Sequence, residues 1–119
     1  MCKRIMVVDD DPFMRKMLRE LLETEGHEVV AEAASGDEAV TAYREFQPDI
    51  VIMDIVLPNK NGIEVTGLIL SLDKSARIII ISALKDIPLI RAAFASGAID
   101  YIHKPFTPAK MLEAVRKAA

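Results

Sequence analysis

At 119 residues the chain has the length of one compact domain, able to bury roughly two-thirds of its unfolded surface. Apolar residues make up 51% and charged residues 28%, with 6 Pro and 5 Gly, which excludes a disordered or fibrous chain. A net charge of −3 argues against a broad electrostatic grip on nucleic acid, a single cysteine excludes an internal disulfide, and no apolar run is long enough to span a bilayer.

Short runs rich in Val and Ile alternate with longer helical patterns, and no repeat or linker interrupts them. The first strand is expected over Arg4–Asp9. A helix follows in which Met14, Met17, Leu18, Leu21 and Leu22 recur at the spacing of one buried stripe, opened by Asp11 as cap before Pro12 and closed by Gly26. The second strand is expected over Glu28–Ala33. Ser35 with Glu38 three residues on forms a capping box for the second helix. The third strand spans Ile50–Met53. The helix after Asn61 is less amphipathic, because Ile63, Val65, Leu68, Ile69, Leu70 and Leu72 spread around it. The fourth strand covers Arg77–Ile81, Gly97 ends a fourth helix, and the fifth strand covers Ile99–Ile102. Thr107 before an N1 proline opens a last helix whose stripe is Pro108, Met111, Leu112 and Val115.

Five strands alternating with five helices, three of the strands apolar almost throughout, imply a parallel sheet covered on both faces. Right-handed crossovers then give a three-layer, doubly wound α/β fold, with strand order 2-1-3-4-5 the common solution (flavodoxin-like). One domain, residues 1–119, is expected. Ligands of such sheets bind beyond the carboxyl ends of the strands, where the order switches between strands 1 and 3.

The residues at those ends are all polar: Asp9, Asp10 and Asp11 after strand 1, Asp54 after strand 3, Ser82 after strand 4, Lys104 after strand 5. Taken singly, an Asp there is ordinarily a cap or turn residue, a Ser is unremarkable, and a Lys is a solvated side chain. Taken together they form a cleft in which carboxylates from strands 1 and 3 repel one another unless a cation lies between them. Carboxylate oxygens without Cys or a placed His select Mg²⁺, or Mn²⁺, over zinc or copper. Such an ion with Lys104 and Ser82 suits phosphoryl transfer, and a carboxylate is a competent nucleophile towards phosphorus.

Over its full length the chain resembles the bacterial two-component response-regulator receiver domain, including the stand-alone chemotaxis type. The matching segments are Ile5-Met6-Val7-Val8-Asp9-Asp10-Asp11-Pro12, Ile52-Met53-Asp54 with Leu57-Pro58 and Asn61-Gly62, Ile80-Ile81-Ser82-Ala83, and Lys104-Pro105-Phe106. The resemblance implies that Asp54 is the phosphoacceptor and a Mg²⁺ ligand. Asp10 is then a direct ligand, Asp9 acts largely through water, and the backbone carbonyl of Val56 completes the protein's share. Ser82 is implied as the switch hydroxyl, Lys104 as the cation that pairs with the phosphoryl group, Tyr101 as the aromatic switch, and Lys104-Pro105 as a cis peptide. His27 and His103 match no role and read as surface residues. Asn61 stands where an acidic residue is frequent in the family. Val56 and Leu84 are apolar where family members that hydrolyse their phosphoryl group quickly tend to be polar.

The implied partners are a sensor histidine kinase and a downstream protein or output domain. The face of helix 4, strand 5 and helix 5 is the implied output surface, where residues 85–119 carry a net +3 against −6 for residues 1–84. No direct contact with nucleic acid or membrane is expected. The expected form is a cytoplasmic monomer or phosphorylation-dependent dimer acting as a switch, not a conventional turnover enzyme. A Mg²⁺-dependent phosphatase-like or nuclease-like enzyme using the same carboxylates is the alternative. A flavin carrier of the same topology is disfavoured, because Asp-Asp-Asp-Pro would repel a cofactor phosphate.

Overall fold

The computed structural model describes residues 2–118. Five parallel strands, β1 (Arg4–Val8), β2 (Glu28–Ala33), β3 (Ile50–Asp54), β4 (Ile78–Ser82) and β5 (Asp100–His103), form one sheet in the order β2-β1-β3-β4-β5. The five helices are α1 (Pro12–Thr24), α2 (Gly36–Phe46), α3 (Gly62–Leu72), α4 (Ile87–Ala95) and α5 (Pro108–Ala118). This is the flavodoxin-like arrangement that the alternating pattern predicts.

The central strands β3 and β4 are buried at every position, so their side chains feed two separate apolar cores. On one face Ile5, Val7, Ile50, Ile52, Ile79 and Ile81 pack against Leu18 and Leu22 of α1 and Met111 and Val115 of α5. On the other, Met6, Val8, Val51, Met53, Ile78 and Ile80 pack against Ala39 and Tyr43 of α2, Val65 and Ile69 of α3 and Ala93 of α4. Each fully buried aliphatic side chain contributes about 1.5–3 kcal/mol of transfer free energy. The sheet is thus anchored from both sides, and the ends of its strands have a fixed address.

The helix starts carry the caps read from the sequence. Asp11 accepts from the Phe13 amide at 2.9 Å, Ser35 from Glu38 at 3.2 Å, Asn61 from Glu64 at 2.9 Å and Thr107 from Lys110 at 3.1 Å. The Glu38 carboxylate reaches back to the Ala34 amide at 3.3 Å, one residue before the usual partner in a capping box. Gly26 and Gly97 adopt φ of +89° and +112°, the left-handed geometry that ends α1 and α4. At Gly62 the constraint is steric: a Cβ there would overlap the carbonyl oxygen of Asp54, so only a residue without a side chain lets α3 start against the end of β3. The helix after Asn61 does form despite its scattered pattern. Val65 and Ile69 are buried, whereas Leu68 and Leu72 remain exposed.

Strand boundaries shift by one residue at the ends that matter. β1 stops at Val8, one residue short of the expected Asp9. Asp54 and Ser82 are the last residues of β3 and β4, paired in the ladder with Ile81 and His103. A polar side chain does not stop the backbone from continuing its ladder, and the site residues are therefore held by strand hydrogen bonds.

Candidate functional site

Asp9, Asp10 and Asp54 each present a carboxylate oxygen, and these oxygens all lie within 4.8 Å of one another. Asp9 is 1% exposed and Asp54 7%, whereas Asp10 is exposed. Lys104 enters from the end of β5 with its Nζ 2.9 Å from Asp9 Oδ2 and 2.9 Å from Asp54 Oδ2. Asp9 Oδ1 accepts from the Asp11 amide at 2.9 Å, and Asp54 Oδ1 from the Val56 amide at 3.3 Å. Each oxygen of these two carboxylates thus meets one protein donor, and the third carboxylate faces solvent.

The titration behaviour follows from this crowding. Burial pushes the Asp54 carboxyl above its ordinary value; the hydrogen bond and charge of Lys104 oppose the rise, and the neighbouring Asp9 adds to it. Burial works to lower Lys104, but its hydrogen bonds to Asp54 and Asp9 outweigh this, and its pKa is raised. Lys104 is therefore held as a cation between the two carboxylates. Three hard oxygen donors converging beside an exposed edge suit a small divalent ion such as Mg²⁺. The Val56 carbonyl accepts no hydrogen bond among the described residues.

Ser82 is fully buried, and its Oγ accepts from the Leu84 amide at 3.1 Å, holding the loop between β4 and α4. Tyr101 is only partly buried, and its hydroxyl donates to the Leu84 carbonyl at 2.8 Å. Both residues implied as switch elements therefore grip the same short loop from different strands. His103, read as a surface residue, has Nε2 3.2 Å from the Ala83 carbonyl and is a third tie to that loop. Its only sequence signal is strand alternation, which puts residues 101 and 103 on one face. Lys104-Pro105 is cis. Val56 and Leu84 stand at the rim, 59% and 39% exposed.

Arg15 is the contributor that sequence reasoning missed. From the first turns of α1 its Nη1 donates to the Asp9 carbonyl at 2.7 Å, while its Nε donates to Glu32 Oε1 at 3.0 Å. A lone Arg among polar helix positions gives no sign of such a contact.

The chain is similar to known proteins over its whole length. Residues 5–116 match the family model described as response regulator receiver domain. The chain is 44% identical to the chemotaxis protein CheY of Thermotoga maritima over all of this chain and 99% of that protein. It is also 44% identical to CheY of Bacillus subtilis over 98% of each. Among solved structures, the CheX-CheY-BeF3-Mg complex from Borrelia burgdorferi superimposes with a TM-score of 0.93 at 37% identity, covering 96% of this chain and 87% of that one. Family model, full-length relatives and shared fold lead to one conclusion: this chain belongs to the response-regulator receiver domains.

Proposed function

We propose that residues 1–119 act as a single receiver domain, switched by Mg²⁺-dependent transfer of a phosphoryl group from a sensor histidine kinase onto Asp54. The observation that carries this reading is the convergence of Asp9, Asp10 and Asp54 within 4.8 Å, with Lys104 bridging two of them. In the transfer, an Asp54 carboxylate oxygen forms a bond to phosphorus as the bond between phosphorus and the donor imidazole breaks, and the imidazole leaves with the electron pair.

Asp10, Asp54 and the Val56 carbonyl would hold the ion directly in this reading and Asp9 would act largely through water, as the family resemblance implies, with the three carboxylates already gathered within 4.8 Å. Mg²⁺ held by these residues would supply neutralisation of the charge developing on the transferred group. Lys104 pairs with the phosphoryl oxygens. Ser82 exchanges its Leu84 amide contact for a phosphoryl oxygen, and Tyr101 leaves the Leu84 carbonyl and turns inward. The face of α4, β5 and α5 is then the surface read by a downstream protein or output domain, with the chain as a cytoplasmic switch, not a turnover enzyme. No helix among the described residues is long and apolar enough to cross a membrane.

The test is direct: incubate the protein with acetyl phosphate and Mg²⁺ and determine its mass. One acid-labile phosphoryl adduct, absent in Asp54→Asn and absent without the divalent ion, is expected. Multiple turnover of phosphate esters would instead support a phosphatase-like enzyme.

A further inference from the structure

We propose that Arg15 is a positioning residue for the acidic pocket: it locks the Asp9-Asp10 peptide so that the Asp10 carboxylate faces Asp54. The proposal rests on the Mg²⁺ reading above.

The three carboxylates are not held alike. Asp9 and Asp54 are each fixed by Lys104 and by a backbone amide. The Asp10 carboxylate accepts from no donor among the described residues, and its side chain is exposed. Nothing at the side-chain level sets its direction. What remains is the backbone from which it projects.

That backbone leaves the sheet at Val8, and the Asp9 amide still donates to the Ala33 carbonyl at 3.0 Å. Beyond that amide, the next peptide plane, Asp9 C=O to Asp10 N–H, has no ladder partner. Arg15 supplies one: Nη1 reaches the Asp9 carbonyl at 2.7 Å. Rotation of this plane would swing Asp10 away from Asp54, and it would also leave the Asp9 carbonyl without its donor.

The guanidinium is itself aimed. Its Nε donates to Glu32 on β2 at 3.0 Å, and Glu32 is held from its other oxygen by Arg19 at 2.7 Å. A planar fork donating to two acceptors at once is a task for arginine; a lysine at this position offers a single point charge. The chain of contacts therefore runs from β2 through Glu32 and Arg15 to the peptide that carries Asp10. Groups that orient metal ligands without touching the metal typically change affinity 10–100-fold when removed.

Calorimetric titration of the unphosphorylated protein with Mg²⁺ tests this, with thermal unfolding of each variant in parallel. Arg15→Ala is expected to raise the dissociation constant by about tenfold or more. Arg15→Lys should recover part of the affinity, and Glu32→Ala should cause a smaller rise than Arg15→Ala. A merely structural tie would lower the melting temperature of Arg15→Ala and leave its Mg²⁺ affinity equal to that of the wild type; that result overturns the proposal. If Arg15→Ala does not fold, unchanged affinity in both Arg15→Lys and Glu32→Ala overturns it equally. A wild-type chain that binds no Mg²⁺ would instead refute the reading of the pocket on which this role depends.

Discussion

The last two helices of the chain, α5 and α4, bury their residues to different extents. α5 buries Met111, Ala114, Val115 and Ala118 against the sheet and starts on a Thr107 cap. α4, two residues shorter, buries only Ala93, has no side-chain cap at Asp86, and leaves Ile87 and Phe94 exposed. The same sheet therefore has one helix welded to it and one resting on it. The loop leading into the lightly held helix is the one gripped by Ser82, Tyr101 and His103 through polar contacts. An element held by few apolar contacts can shift for a few kcal/mol, within reach of a newly placed phosphoryl charge.

The largest test of this contrast is thermodynamic. Met111→Ala should destabilise the protein by about 3 kcal/mol in urea unfolding, as for a buried side chain that leaves a cavity. Phe94→Ser on α4 should stay within about 0.5 kcal/mol, as for an exposed position. Comparable losses in the two variants would break the comparison.

A second test probes the rim on the lightly held side. If Asp54 is phosphorylated as proposed, the apolar side chains of Val56 and Leu84 offer no polar group to orient a water in line with the adduct, which should persist. The double variant Val56→Asn, Leu84→Glu should lose its phosphoryl group on the order of tenfold faster, about 1.4 kcal/mol of barrier. The decay of the acid-labile adduct in the two proteins measures it, and equal rates would reject this account of the rim.

The smallest effect belongs to the well-anchored side. His27, just after α1, accepts from the Lys3 amide at Nδ1 over 3.1 Å, and burial lowers its pKa below the ordinary 6.5. The unfolded chain then binds a proton that the folded chain refuses. Stability is full above about pH 6.5 and falls as pH drops from there through the folded pKa. Melting temperature should decline across that window in the wild type and less so in His27→Gln, while the contrast between α5 and α4 remains at either pH.

Much of this was legible because burial on both faces writes itself into a strand: Ile50–Met53 and Ile79–Ile81 admit no polar residue, and such runs fit a central parallel strand. The pocket was legible because its residues fall at the ends of those runs. The exact strand ends were not, since Asp54 and Ser82 continue the ladder although their side chains are polar. α3 was obscured because its outer face also carries leucines, so its pattern does not separate core from surface. Arg15, His103 and the Tyr43 hydroxyl bonded to Asp73 at 2.8 Å were invisible for another reason. Each acts on a partner distant in sequence or on a backbone carbonyl, and neither leaves a mark in local periodicity.

The bond from Lys104 to Asp9 joins residues 95 positions apart, and that to Asp54 spans 50. A chain still emerging during synthesis carries the residues of β1 and β3 well before Lys104 exists, so their carboxylates have no such counterion until β5 has been made. Charge balance in the pocket is thereby tied to arrival of the last strand, since Lys104 directly follows β5.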